Sequence, residues 1–161
     1  MLLPTVSGGI FMWGFLIALL SGLLMSVQGV MNTGVTKQTS IWVAAGFVQL
    51  SAFVVCVFAW LFTGRESISA LWHVSPKYML AGGVIGAFIT ITVIKSMALL
   101  GPAKSVMLIV VMQIVTAYLI ELFGLMGTEK VNFSWGKVIG ALICIAGIIV
   151  FCMSGQNAAQ K

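Results

Sequence analysis

Charged residues are scarce in this chain of 161 residues, at 7% of the sequence, and aspartate is absent altogether. Soluble domains carry about 25% charged residues, so the composition excludes a soluble globular domain. The same shortage of charge, beside 61% hydrophobic residues, excludes an intrinsically disordered chain. Without aspartate no Ser/His/Asp triad is possible, and no phosphate-binding loop is present, so we expect that the protein is not an enzyme.

Cysteine and histidine are equally sparse. Cys56, Cys144 and Cys152 form an odd number and lie inside apolar runs, which excludes a secreted disulfide scaffold. The lone His73 has no second histidine or cysteine at ligand spacing, so we expect no metal site, and no motif predicts a cofactor. The net charge of +5 is small and scattered, which is typical of loops beside a membrane and does not indicate a nucleic-acid surface.

Apolar residues, by contrast, form long continuous runs, and the mean hydropathy is +1.18. A membrane span needs about 20 apolar residues, and only helices and closed barrels satisfy the backbone in lipid. Because the runs are continuous rather than alternating, we predict an all-α, polytopic membrane protein with five transmembrane helices in a single transmembrane domain, residues 1–161. The predicted helices are 10–33, 41–63, 77–99, 104–126 and 134–154.

The residues between the runs support this division. Gly101 and Pro102 predict a tight turn between the third and fourth helices, and Pro76 lies in a connection, where its missing N–H costs nothing. Tryptophans lie at or near the predicted helix ends, which is typical of the aromatic belts at membrane interfaces. They are Trp13, Trp42, Trp60, Trp72 and Trp135.

Positive charge is divided almost evenly between the two membrane faces. The face of the N-terminus carries Arg65, Lys77, Lys130 and Lys137, and the other carries Lys37, Lys104 and Lys161, with Lys95 close to it. The positive-inside rule therefore gives almost no preference. Two interpretations stay open: one orientation fixed by the weak bias with help from a partner or the translocon, or dual topology, in which copies insert both ways.

Two charged side chains, Lys95 and Glu121, lie clearly inside predicted helices rather than at their first residues. A charge near the bilayer centre costs about 2.5–3.5 kcal/mol on insertion scales, and less towards the interface. Lys95 lies about four residues from a helix end, so it either snorkels to the interface or contacts a solute or partner. Glu121 is either a carboxylate near the interface, reached by water, or a functional group inside the bundle.

Neutral amides form two further polar stripes. Gln28 and Asn32 are four residues apart and share one face of the first helix, while Gln113 and Glu121 share a face of the fourth. Buried amides are either interhelical glue, worth about 0.6–2 kcal/mol each, or ligands of a solute. Gln49, on the second helix, fits the first interpretation better.

Depth separates the two ionisable groups. At 1.5 Å per residue, Lys95 and Glu121 lie about 21 Å apart along the membrane normal of one chain, so they cannot pair. In an antiparallel dimer, the Glu121 of a second copy arrives at the depth of Lys95, Gln28 and Asn32. We therefore predict an antiparallel dimer with two symmetry-related polar clusters.

Glycines at helical spacing indicate where helices touch. Gly82 and Gly86 form a G-x-x-x-G motif on the third helix, and Gly136, Gly140 and Gly147 follow one another on the fifth. Small residues at this spacing let backbones approach closely, so we predict that they pack against other helices. The alternative is that glycine is simply common in membrane helices.

Several short motifs follow one another in a fixed order. They are SGLLMSVQGVMN at 21–32, GGVIGAF at 82–88, Gln113, IELFGLMG at 120–127, and the pair Gly140 and Gly147. Taken together, they resemble the YdcZ-like family of small inner-membrane exporters, within the drug/metabolite transporter (EamA-like) superfamily. The resemblance covers about residues 15–153 and leaves residues 1–9 outside.

The resemblance implies a fold similar to one half of the ten-helix, inverted-repeat members of that superfamily. It implies that Gln28, Asn32, Gln113 and Glu121 match the polar positions of the family, which usually has aspartate where Glu121 stands. Lys95 is not part of the pattern.

On this basis we expect a secondary active transporter in the inner membrane, an exporter of a small polar or cationic solute. An antiparallel pair, of identical chains or with a paralogue, would work by alternating access. Gln113 would contact the solute near the midplane, and Glu121 would couple transport by taking a proton or a cationic solute in competition. The alternatives are a passive small-ion channel and a non-transporting membrane subunit.

Overall fold

The structure is a computed structural model that describes the backbone of residues 8–158 and, within the helices, the side chains of residues 12–151. Residues 1–7 and 159–161 lie outside the described part. Lys161, which the sequence assigns to the face opposite the N-terminus, is one of them. Within it there are five α-helices and no strand, which confirms the all-α prediction. They are α1 (Gly8–Gln38), α2 (Ile41–Thr63), α3 (Gly82–Leu100), α4 (Pro102–Phe123) and α5 (Trp135–Ala158).

The outer surface of the bundle is apolar. Phe62 is 84% exposed and Trp42 is 72% exposed, which water would penalise but lipid does not. Four segments are long and apolar enough to cross a membrane, and the part of α5 with described side chains, Trp135–Phe151, is a shorter apolar helix. These features confirm a polytopic membrane protein. The four long segments are Met12–Gln38, Ile41–Thr63, Lys77–Leu100 and Pro102–Phe123.

Short connections turn the chain back at one end of the bundle. Two residues join α1 to α2, and the second of them, Ser40, accepts a hydrogen bond from the Val43 N–H at 3.2 Å as the N-cap of α2. A single residue joins α3 to α4. This is Gly101, whose φ of 81° suits glycine, and Pro102 then begins α4 at the position where proline is preferred.

The bounds of α1 and α3 differ from the predicted ones. α1 continues to Gln38 rather than 33, because its polar residues find partners inside the helix: the Thr33 and Thr36 hydroxyls donate to the carbonyls of Gly29 and Asn32 at 2.8 and 2.9 Å. The third span begins with a 3-10 segment, Lys77–Ala81, before α3 starts. A polar side chain near a helix end therefore does not by itself end the helix.

α4 ends three residues earlier than predicted. Gly124 takes a left-handed conformation with φ 64°, and its N–H bonds back to the carbonyls of Glu121 and Ile120, the usual chemistry of a C-terminal glycine cap. Glu121 consequently lies two residues, about 3 Å, from the end of its helix. The carboxylate is closer to the membrane interface than the sequence suggested.

The packing divides the chain into a core and an outlying helix. α3 lies centrally, in contact with α1, α2 and α4, and α1 also contacts α2 and α4. Among the described residues, α5 packs principally against α4. Gln28 and Asn32 of α1 and Gln113 of α4 thus lie on helices of the core, whereas the contacts of α5 are mainly with α4.

The glycine motifs have different surroundings. A Cβ added to Gly86 would lie 3.6 Å from the Gln49 amide nitrogen of α2, an ordinary van der Waals distance, so α2 passes close to this glycine but does not require it. A Cβ on Gly82, Gly140 or Gly147 would meet nothing within 4 Å. A role for these three glycines in helix packing stays a prediction, and it requires contact with a helix of a second chain.

Candidate functional site

A cavity of about 100 Å³ lies where α1, α3 and α4 meet. Gln28 and Asn32 of α1 and Gln113 of α4 line it together. From the sequence alone they could be placed only on separate faces of two helices. Its other walls are small or apolar. The lining residues are Gly22, Met25, Ser26, Gln28, Gly29, Asn32, Ile89, Thr90, Val93, Met97, Val106, Ile109, Val110 and Gln113.

Three polar groups of this cavity lie at one depth. Gln28 and Thr90 are each ten residues from the C-terminal ends of α1 and α3, and Gln113 is eleven residues from the start of α4. At 1.5 Å per residue each is about 15 Å from the same end of the bundle. A hydrocarbon layer is about 30 Å thick, so the three side chains lie near its middle.

The amides that face the cavity are free to bind. Asn32 is only 8% exposed, and among the described residues its side chain makes no hydrogen bond, nor do those of Gln28 and Gln113. The hydroxyls of Ser26 and Thr90 each donate to a carbonyl of their own helix at 3.0 Å, so they offer acceptor lone pairs. Gln28 and Gln113 are exposed in the single chain, and a solute in the cavity would give all three amides a hydrogen-bond partner.

Gly29 and Met97 close one side of the cavity. The Met97 side chain, 4% exposed, lies directly over Gly29: a Cβ on the glycine would be 2.5 Å from the methionine Cε and 2.8 Å from its Sδ. The absence of a side chain at position 29 is therefore what lets α3 come this near to α1. The sequence analysis missed Met97, because one methionine among ten carries no pattern.

Gln28 and Asn32 also line a second, more open groove between α1 and α2. It has a volume of about 670 Å³, and α2 contributes Ala44, Ser51 and Cys56 among others. The two amides thus border both the cavity and this groove.

Glu121 lies apart from the cavity, in an ion pair. Its Oε2 accepts a hydrogen bond from the Lys137 Nζ of α5 at 2.9 Å, and the two side chains are 46% and 45% exposed. The ammonium also lies 5.4 Å from the Tyr118 ring centroid, within cation–π range. The Tyr118 hydroxyl in turn accepts from the Ser134 N–H at 3.0 Å. This group ties the end of α4 to the start of α5.

The partner of Glu121 is a residue that sequence reasoning assigned only to loop charge. Lys137 and Glu121 are 16 positions apart on different helices, and no helical spacing relates them. The available signal was topological, because both residues lie near the ends of consecutive helices on the same membrane face. Opposite charges at a shared end are candidates for pairing.

Lys95 does not face the cavity either. At 100° per residue, it lies about 140–160° around α3 from the lining residues Thr90, Val93 and Met97, and it is exposed. Five residues, about 7.5 Å, separate it from the end of α3. In the single chain the predicted site residues therefore fall into three places: the cavity, the ion pair and the far side of α3.

The long apolar helices and their exposed apolar surface define a polytopic membrane protein. Its amides line a cavity near the middle of the membrane. The family model described as "Putative inner membrane exporter, YdcZ" matches residues 13–150, and the chain belongs to this family. It is accordingly a multi-pass protein of the inner membrane, and its family is one of exporters rather than enzymes, which confirms the resemblance found in the sequence. No curated protein and no solved structure matches.

No metal site is apparent in the part of the chain that the structure describes, where no group of three or more His, Cys, Asp or Glu side chains comes together.

Proposed function

We propose that the chain is a secondary active transporter of a small polar or cationic solute, which works by alternating access as an antiparallel dimer and is coupled to protons through Glu121. The observation that carries the proposal is the convergence of Gln28, Asn32 and Gln113 on one cavity at mid-depth. Transporters of inverted-repeat architecture bind their solutes near the midplane, at the boundary between moving parts. Free amides at that depth are suited to this role.

The ion pair supports a coupling role for Glu121. A proton on this carboxylate would remove its charge and release Lys137, so the contact between α4 and α5 would weaken. Because α5 packs principally against α4, such a change would move α5 without disturbing the packing of α1 on α3. Two discrete arrangements of one packed element are what a switch requires.

The function is tested by accumulation against a gradient. Purified protein in liposomes receives a pH gradient, and the uptake of labelled guanidinium and labelled urea is followed. With one proton exchanged per solute molecule, a gradient of about one pH unit can drive accumulation of up to about tenfold. A passive channel would bring the probe to equal concentrations and no further, and a non-transporting subunit would give no uptake; either result would contradict the proposal.

Glu121→Gln is expected to abolish accumulation driven by the pH gradient, because the amide cannot exchange a proton. Lys137→Gln is the matched control, since it breaks the same ion pair but leaves the carboxylate. We expect Lys137→Gln to keep the pH dependence with an altered rate. Equal loss in both variants would mean that Glu121 acts only as a structural partner of Lys137.

The antiparallel dimer rests on depth and on the open face of α5. Inversion places the partner copy's Glu121, about 3 Å from its helix end, near the level of Lys95 at about 7.5 Å from the opposite end. Gly140 and Gly147, within about 20° of each other around α5 at 100° per residue, have nothing within 4 Å of an added Cβ and leave room for a second helix.

Cysteine cross-linking between two differently tagged chains tests the relative orientation. One chain carries Lys95→Cys, and the other carries either Glu121→Cys or Lys104→Cys. We expect cross-links for the 95–121 combination, because inversion brings these depths together. In a parallel dimer Lys95 would instead lie near the depth of Lys104, so a product from the 95–104 combination alone would refute the antiparallel arrangement.

A further inference from the structure

We infer that the cavity between α1, α3 and α4 takes an uncharged, hydrogen-bonding solute smaller than benzene, of the chemical class of small amides and ureas. The inference rests on the proposed function and narrows the class of solute, which is polar rather than cationic. The solute binds apart from Glu121, the carboxylate that takes the proton.

The absence of charge in the cavity wall is the first reason. Every residue that lines it is neutral. The nearest acid on the lining helices, Glu121, is eight residues from Gln113, which is about 12 Å along α4, and it is already bonded to Lys137. Lys95 lies on the far side of α3. A charged solute would be buried at mid-depth without a counter-charge, which membranes and proteins both penalise strongly.

The pairing chemistry of the wall is the second reason. Each of the amides of Gln28, Asn32 and Gln113 carries a carbonyl acceptor and an NH₂ donor. The hydroxyls of Ser26 and Thr90 donate to carbonyls of their own helices and can only accept from a solute. The wall thus offers donors and acceptors together. A cation would leave the NH₂ groups unpaired and an anion would leave the carbonyls unpaired, whereas an amide or a urea matches both.

The size of the cavity is the third reason. An apolar cavity of about 150 Å³ takes benzene, and one water occupies about 30 Å³ of liquid. The 100 Å³ found here lies between these limits. The buried side chain of Met97, which lies over Gly29, bounds the cavity on that side. Planar solutes of four heavy atoms fit this range, and urea, guanidinium and acetate are such solutes, with charges of zero, plus one and minus one.

The test measures binding rather than transport. In a full-length chain with Cys56, Cys144 and Cys152 changed to alanine, Ser26→Cys places a thiol in the cavity wall. Its rate of reaction with a maleimide is measured with urea, acetamide, guanidinium or acetate at equal concentration. We expect urea and acetamide to slow the reaction and the two ions to leave it unchanged. Ser21→Cys, on an exposed part of α1 outside the cavity, is the control and should respond to none of them.

Asn32→Leu, similar in size and without the amide, is expected to weaken protection by urea about fivefold, the factor for one hydrogen bond, while the variant elutes as the parent chain does on size exclusion. Protection by guanidinium or acetate equal to that by urea would overturn the inference, as would the lack of protection by any probe. Protection without accumulation in liposomes would instead leave the solute class standing and reject active transport, so the two failures are distinguishable.

Discussion

Gly29→Ala is expected to lower the free energy of unfolding by about 1–3 kcal/mol, the usual cost of overpacking a well-filled site. The new Cβ would lie 2.5 Å from the Met97 Cε, and real contacts do not come this close. Met97 is 4% exposed and borders the cavity between α1, α3 and α4. Either its tip swings into that cavity or α1 and α3 separate slightly, and in both cases the cavity changes shape. Unfolding by SDS in mixed micelles, followed by tryptophan fluorescence, measures the effect.

The same helix provides the control. Gly34 lies five residues further along α1, and a Cβ there meets nothing within 4 Å. Gly34→Ala is therefore expected to be neutral or to stabilise the protein by up to about 1 kcal/mol through helix propensity. If Gly29→Ala behaved like Gly34→Ala, the close approach of Met97 to Gly29 would be refuted.

A double variant identifies the cause of the cost. Met97→Ala alone removes a buried side chain and is expected to destabilise by about 2–5 kcal/mol. In Gly29→Ala/Met97→Ala the clash is gone and the added methyl fills part of the space. The two costs should therefore sum to more than the cost of the double variant, which is the sign of direct contact.

Lys37→Gln/Lys104→Gln is expected to turn a mixed population into one with the N-terminal face in the cytoplasm. These two lysines belong to the face opposite the N-terminus, and their loss leaves that face with Lys161 and the nearby Lys95. The N-terminal face keeps four positive charges, Arg65, Lys77, Lys130 and Lys137. The cytoplasmic face is the one richer in lysine and arginine. A C-terminal reporter that is active on one side of the membrane only measures the ratio of the two orientations.

Arg65→Gln/Lys77→Gln is the reciprocal variant and should reverse the preference. Both residues lie in the connection between α2 and α3 and are exposed, so their loss removes only the hydrogen bonds that they donate to the Leu61 and Trp72 carbonyls. A parent chain in one orientation, unmoved by either pair of substitutions, would exclude dual topology. The dimer would then need a different chain as its inverted partner.

The number of helices could be predicted from the sequence because lipid leaves the backbone no choice. Each apolar run must satisfy its own N–H and C=O groups, and a helix does so locally. The ends were less predictable, since they depend on single residues. Gly124 stops α4 by adopting a left-handed conformation, whereas Thr33 and Thr36 extend α1 through their own hydrogen bonds. Hydropathy does not distinguish these two effects.

The site was predictable only within each helix. The spacing of Gln28 and Asn32 places them on one face, and both line the same cavity. That Gln113 of α4 joins them, that Met97 closes the wall, and that Lys137 pairs with Glu121 all depend on which helices are neighbours. Such pairings between helices leave no periodic trace in a single sequence.

The odd number of helices has a consequence for gene duplication. With all five described helices crossing the membrane, as the sequence predicts, the chain enters α1 at one face and leaves α5 at the other. A second copy joined directly behind the first would then begin on the face opposite to the start of the first. It would have to fold upside down relative to its neighbour. A tandem fusion of this gene would thus create an inverted repeat in one polypeptide without an added linker helix, whereas a four-helix ancestor would need an extra crossing to achieve it.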